Sequence, residues 1–336
     1  GGQKDIEAGL VRTIGNPFER FREDKLRMIR AVRFAARFGF QLEAETRAAI
    51  VSLADQIWQV SRERIRDELT KILTEGYANE GVLLLEECGL LRTILPEISD
   101  LSGVEQPPEF HPEGDVWAHT LLMLKLMDET RREIVENGDT PWRKLSSGGF
   151  VSNEVLRKHY PTLTLALGVV LHDVGKPLTF QRKDRIRFNN HCEVGARLTA
   201  RICERFRFTT KQTERAIQLV QDHLKFKDLP RMRPSTLKRF LRQDGFEEHL
   251  ELHRLDCLGS HRDLELWHFA QDRLEQLGPE EIRPPALISG DDLIELGFRP
   301  GPAFKEMLKA VEDEQLDNTL GSREEALKWV EATFKK

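Results

Sequence analysis

Glu23-Asp24-Lys25-Leu26-Arg27-Met28-Ile29-Arg30-Ala31-Val32-Arg33-Phe34-Ala35-Ala36-Arg37-Phe38-Gly39-Phe40 sets the reading of this chain. Apolar residues recur at helical spacing and Gly39 follows the last of them, so the stretch reads as one amphipathic helix closed by a glycine C-cap. Arg27, Arg30, Arg33 and Arg37 share a broad flank, with Glu23 and Asp24 one turn before Arg27. That pattern suits a solvated helix laced by weak intrahelical ion pairs. It also holds what a nucleotide site requires: guanidinium forks for phosphates and base acceptors, and a carboxylate for an exocyclic amine.

Outward from this helix the same periodicity repeats. Helices are expected at about Arg22–Phe38, Glu43–Gln56, Ser61–Thr74, Glu80–Glu87 and Leu90–Ile94, with Pro96 closing the set. Residues 97–113, rich in Pro, Glu and Gly, read as a linker. A second helical block runs from about Val116 to Gln276, interrupted between Asn137 and Asn153 by a stretch expected to form a surface loop. Gly278–Pro302 breaks the pattern before two short helices near Ala303–Asp313 and Arg323–Phe334. Only Asp5–Gly15 departs, reading as two strand-like pieces around a turn, the edge of a sheet. The fold class is mostly α.

Of 336 residues 51 are basic and 56 acidic, a net charge of −5, so bulk charge argues for no partner. RNA binding would rest on local clusters. Two qualify: Arg201, Arg205, Arg207 and Lys211, and Lys225, Lys227, Arg231, Arg233, Lys238, Arg239 and Arg242. Each reads either as an RNA contact or as a solvated face. The apolar run Leu163–Leu171 is far shorter than the roughly 20 residues that cross a bilayer, so no membrane partner is expected. The opening residues match neither a secretory signal nor a transit peptide, and Cys88, Cys192, Cys203 and Cys257 lack close spacing, which suits reduced thiols and a cytoplasmic location. Trp58, Trp117, Trp142, Trp267 and Trp329 are expected as core anchors.

The run Asp5–Phe40 resembles the end of the head and the start of the neck in bacterial tRNA nucleotidyltransferases and poly(A) polymerases. Those enzymes carry D-x-x-x-G-x-x-R, here Asp5, Gly9 and Arg12, then E-D-x-x-R-x-x-R-A-x-R-F-A, here Glu23 through Ala35. Ser61–Leu69 resembles the family's next neck helix, with Arg64 and Glu68 spaced for a pair. The resemblance implies that the helix binds incoming CTP or ATP: Glu23 orders the set, Asp24 and Arg27 present hydrogen-bonding edges to the base, and Arg30 and Arg33 support base and phosphates. The family's G-G-x-V-R-D loop and Asp-x-Asp pair, which hold Mg²⁺ for nucleotidyl transfer, do not occur in the sequence. The expectation is a body without its catalytic head. Asp291-Asp292, after Gly290, reads as helix N-capping rather than a replacement pair.

A second constellation comprises His119, His172-Asp173, His191, His223 and Asp256. Asp173 follows an almost wholly apolar helix, where a carboxylate is costly to bury unless paired or ligated. Histidine and carboxylate donors together suit Mn, Fe, Co, Ni or Zn. The set resembles the HD phosphohydrolase superfamily, pattern H…HD…D, here His119, His172, Asp173 and Asp256. The resemblance implies that His191 and His223 hold a second metal, that water activated by the metal is the nucleophile, and that Lys176 sits near a substrate phosphate. It further implies hydrolysis of phosphomonoesters and 2′,3′-cyclic phosphates. His111, His159, His249, His253, His261 and His268 carry no partner pattern.

The expected organisation is the end of a head at 1–20, a nucleotide- and RNA-binding neck at 21–96, an HD phosphohydrolase domain at 110–276 and tail helices at 277–336, the tail guiding tRNA or completing the body. Two rivals stand beside it: a free-standing metal phosphohydrolase, and an inert RNA clamp. Whether the whole protein adds CCA, CC, A or poly(A), which metal it holds and its oligomeric state stay open.

Overall fold

A computed structural model describes residues 1–137 and 159–335. The loop expected between Asn137 and Asn153, and Trp142 with it, lie outside the described residues. Among these, helices dominate, and the chain divides into two compact units: residues 1–137, 159–224 and 248–264 form one, 225–247 and 265–335 the other. In this division the basic stretch after His223 groups with the tail.

In the first unit the stretch Glu23–Phe40 is broken rather than continuous. A helix over Pro17–Glu23 ends at Asp24, whose extended backbone starts the next helix, Leu26–Phe38. Gly39 caps it at φ 65°, as the sequence indicates. Met28, Ile29, Val32, Ala35 and Ala36 are buried, and their helix packs on Arg62–Thr74, which buries Ile65, Leu69 and Ile72, and on Ala78–Glu87, which buries Val82 and Leu85. Full burial of each large aliphatic side chain contributes about 1.5–3 kcal/mol. Gly81 is required by this packing, since a Cβ there would lie 2.4 Å from Ile72 Cγ2.

The opening segment corrects the sheet-edge expectation. Gly2–Glu7 is helical, and only Leu10–Val11 is a strand, pairing in parallel with Gln41–Leu42 after the neck helix. Asp5 and Arg12 meet at 3.2 Å across a turn that Gly9 makes at φ 63°.

Farther on, Val116–Asn137, Leu163–Leu171, His191–Arg205, Thr210–Asp222 and Phe246–Gly259 are the helices that carry the second constellation. Leu165 through Leu171 are all buried, with Gly168 admitting Leu219 and Leu252 to the helix backbone. A short antiparallel hairpin, Phe180–Arg182 with Ile186–Phe188, precedes His191 and corrects the expectation of a helical block through this stretch. Pro96 does not close the neck set but begins another turn, Pro96–Ser99, and Leu53 leads into a 3₁₀ segment, Ala54–Gln59.

The second unit joins Pro234–Leu241 to Pro302–Leu316. Arg239 and Arg242 both reach Glu312, Arg233 lies 2.7 Å from Asp317, and Lys238 donates to the Leu316 carbonyl at 2.9 Å. Ile288, Leu293, Met307, Val311, Ala326 and Val330 form its terminal core. Ser289 is the N-cap of Gly290–Glu295 and Asp292 returns the bond in a capping box, so Asp292 of the acidic pair serves the helix start.

Candidate metal centre

Each histidine of the second constellation sits at or near a helix end, where a ring can turn into the space between helices. His172 is the C-cap of Leu163–Leu171, His191 opens its helix, and His223 is the C-cap of Thr210–Asp222. His119 lies in the first turn of Val116–Asn137, and Asp256 lies on Phe246–Gly259. All six residues fall in the first unit and converge, with ring centroids 5.3 Å apart for His119 and His172, 5.4 Å for His172 and His223, and 5.3 Å for His191 and His223.

The tautomers are fixed from outside. Nδ1 of His172 faces the Val169 carbonyl at 2.9 Å, Nδ1 of His191 the Phe188 carbonyl at 2.8 Å, and Nδ1 of His223 the Val220 carbonyl at 2.7 Å. Nδ1 of His119 meets Glu113 at 2.7 Å. An Nδ1–H donated outward leaves the Nε2 lone pair pointing inward, the arrangement that metal-ligating imidazoles adopt. Asp256 and Asp173 oxygens stand 3.1 and 3.0 Å from Nε2 of His119 and His172, yet neither contact is aligned as a hydrogen bond and both nitrogens are left without one. Buried polar atoms that face one another unbonded are what a shared cation would satisfy. The donor set therefore fits a divalent metal.

Asp173 is the hub. Its Oδ2 faces His172 and, at 2.7 Å, Lys176, while its Oδ1 lies 3.6 Å from His191 and 3.8 Å from His223. Burial opposes its charge, but His172 and Lys176 hold it well below the usual carboxylate range. Burial likewise disfavours a charged His119, yet Asp256 and Glu113 outweigh it and raise the ring to about 9, so without an ion the ring carries on Nε2 a proton that a bound cation would displace. Burial and the neighbouring His172 push His223 down to about 3, and burial lowers His191, so both stay neutral and able to ligate. Gly175 allows the convergence: a Cβ there would lie 2.1 Å from the His191 carbonyl oxygen.

The expected linker is part of this site. Gln106 is buried and accepts from Lys176 Nζ at 2.5 Å, and its own Nε2 has no hydrogen-bond partner. Lys176 is thereby committed to Asp173 and Gln106. His111 does have a partner, contrary to expectation: its Nδ1 lies 2.8 Å from Glu113, the carboxylate that also orients His119. Burial opposes ionisation of Glu113, but His111 and His119 bring it down to about 2. Asp115 binds Gly103 and Ala118 backbone N–H groups and so ties this segment to the helix start. The Pro- and Gly-rich composition hid it; the closely spaced His111-Pro112-Glu113 ahead of His119 was the available signal.

The neck residues are distributed differently. Glu23 holds Arg20 and Arg27, each at 2.6 Å. Asp24 contacts not Arg27 but Arg64, at 2.9 Å, because its extended backbone turns the carboxylate toward the Arg62–Thr74 helix. The expected Arg64–Glu68 pair is thus absent: Glu68 is buried and takes Arg33 at 2.6 Å. Arg33 is enclosed, whereas Arg30 stays half-exposed, 3.9 Å from Glu68. Arg62 stacks on Trp58, its guanidinium 3.6 Å from the ring, and Trp267 is buried.

Comparison with known proteins shows the family of the chain. The family described as "Probable RNA and SrmB- binding site of polymerase A" matches residues 39–101, and the HD domain matches residues 153–251. A CC-adding tRNA nucleotidyltransferase of Thermus thermophilus is 31% identical over 343 residues, which cover 97% of this chain and 70% of the relative. The chain belongs to the tRNA nucleotidyltransferase family and carries its HD domain. A multifunctional CCA protein of Acinetobacter baumannii is 32% identical over 248 residues, 72% of this chain and 52% of the relative, so the chain matches about half the length of that relative. The crystal structure of the Bacillus stearothermophilus CCA-adding enzyme in complex with CTP shares the fold over 100% of this chain and 68% of its own, with a TM-score of 0.59 at 22% identity. Among the described residues no helix is long and apolar enough to cross a membrane.

Proposed function

We propose that the chain works in tRNA 3′-end processing, selecting CTP or ATP at the neck and hydrolysing phosphoesters at the HD centre, with 2′,3′-cyclic phosphates and phosphomonoesters of RNA ends as substrates. One observation carries the hydrolase: four imidazoles anchored through Nδ1, with Nε2 of His119 and His172 unbonded opposite Asp256 and Asp173.

His119, His172, Asp173 and Asp256 would hold a divalent ion, with His191 and His223 beside Asp173 for a second. Such an ion lowers the pKa of water and polarises a phosphoryl oxygen. The chain's own residues do the rest. Glu113 holds the proton on His119 Nδ1, and the Val169, Phe188 and Val220 carbonyls do the same for the other rings. Lys176 holds the Asp173 carboxylate in place, and the unbonded Gln106 amide is a donor for a phosphate oxygen.

At the neck, Asp24, Arg27 and Arg30 offer the base and phosphate contacts, Glu23 orders Arg27, and Arg33 supports the helix from within through Glu68. Of the basic clusters, Arg201, Lys211, Lys227 and Arg231 are exposed and serve RNA, while Arg205, Arg207, Arg233, Lys238, Arg239 and Arg242 are engaged within the protein.

The test is metal content together with hydrolysis of a 2′,3′-cyclic nucleotide and a phosphomonoester, for wild type, His172→Ala and Asp173→Ala. Metal-dependent turnover lost in both variants is expected. No metal and no turnover in the wild type would overturn the hydrolase and leave an RNA-binding body.

A further inference from the structure

His191 and His223 do not stand alone beside Asp173. Their Nε2 atoms are 3.4 Å apart, and the Asp173 Oδ1 is 3.6 and 3.8 Å from them. Next to His191 in the chain, Cys192 brings its Sγ to 3.7 Å from His191 Nε2 and 3.9 Å from His223 Nδ1. One donor atom each from His191, Cys192 and His223 lies within 4.8 Å of the others. A tetrahedral ion with ligands at about 2.0–2.3 Å holds its donors roughly 3.3–3.8 Å from one another. The separations among His191 Nε2, His223 Nε2 and Asp173 Oδ1, and from Cys192 Sγ to His191 Nε2, run from 3.4 to 3.8 Å and are close to those edges, while Cys192 approaches His223 on the Nδ1 side that the Val220 carbonyl occupies and would close the fourth position from the flank of that ring.

We propose that Cys192 is a thiolate ligand of a second cation position completed by His191, His223 and Asp173 Oδ1, which selects Zn²⁺ or a similarly thiophilic divalent ion over Mg²⁺ or Mn²⁺. This rests on the reading of the HD centre as a metal site. Two features support it. Two histidines, one carboxylate and one thiolate form a donor set that softer first-row ions accept and hard, oxygen-seeking ions do not. Finally, Cys192 is half-buried, unlike the fully enclosed Cys88, Cys203 and Cys257, so an ion can reach it.

The experiment strips the whole chain of metal and reloads it with Co²⁺, the optical stand-in for Zn²⁺, while absorbance is recorded. An intense near-ultraviolet thiolate-to-cobalt band is expected to grow in with the second equivalent. Cys192→Ser, which keeps the other three cysteines, should lose the band and bind the second equivalent more weakly by more than the roughly 10–100-fold that an outer-shell loss costs. The first equivalent and the circular dichroism should be unchanged. Bound Co²⁺ without the band, or a band that survives in Cys192→Ser, overturns this proposal alone. Failure to bind any Co²⁺ overturns the hydrolase reading with it.

Discussion

The neck and the metal centre use the same ingredients, charged side chains on helices, to opposite ends. At the neck nearly every charge has found another: Glu23 with Arg20 and Arg27, Asp24 with Arg64, Glu68 with Arg33. In the centre the anchoring bonds all run outward and the inward atoms of His119 and His172 are left unbonded. A region whose charges are mutually satisfied is stable as it stands, and under the proposed function it would exchange partners to bind a nucleotide. A region with opposed unbonded donors would be completed by the proposed cation.

The contrast is broken most strongly at the centre. His119→Ala should weaken metal binding by more than about 100-fold and abolish phosphoester hydrolysis, because it removes a ligand rather than its support. CTP binding should be unaffected; calorimetric titration of both ligands decides, and a loss of both would mean the two regions are not separable. At the neck the largest effect is on stability. Glu68→Ala strands the buried Arg33 guanidinium and should cost about 3–5 kcal/mol in urea unfolding.

A buried acid between the two regions sharpens the comparison through pH. Asp128 accepts the Asn79 N–H at 3.0 Å through one oxygen, while the other has no partner. Burial raises its pKa from 3.8 to about 6, against the partial relief of the Asn79 and Ala78 N–H groups. The unfolded chain therefore ionises first as pH rises. Stability should fall between about pH 4 and 6, by on the order of 2–3 kcal/mol, and stay lowered above it. Asp128→Asn should flatten that fall; an unchanged pH profile of the urea midpoint would show that Asp128 is not the cause.

Smaller still is Gln106→Ala, expected to reduce hydrolysis roughly tenfold with metal content intact, the worth of one hydrogen bond to a charged group. The smallest effect on the fold is at the exposed neck. Arg27→Ala should leave Tm unchanged while CTP affinity declines about tenfold. A variant that binds CTP normally would favour necks that are only structural.

Periodicity made most of this legible, since Arg62–Thr74, Leu90–Ile94 and Arg323–Phe334 begin and end within a residue of their expected bounds. The centre was legible too, because an aspartate after Leu163–Leu171 has no ordinary reason to be there. What escaped depended on backbone events that composition does not report. The break at Asp24 exchanged the partners of Arg64 and Glu68. The fold of 100–115 turned an apparent linker into the source of Gln106, His111 and Glu113. The opening strand found its partner after the neck helix, so its neighbour was distant in sequence.

That apparent linker bears on how the protein can be divided. The HD match spans residues 153–251, yet His119 and Asp256 lie outside it on either side, and Gln106 and Glu113 lie farther upstream. Anyone excising the matched segment to test the proposed phosphohydrolase on its own would carry away His172, Asp173, His191 and His223 and leave His119 and Asp256, the other proposed ligands, behind. The transplantable cassette is wider than the recognisable one, and it begins at the end of the neck.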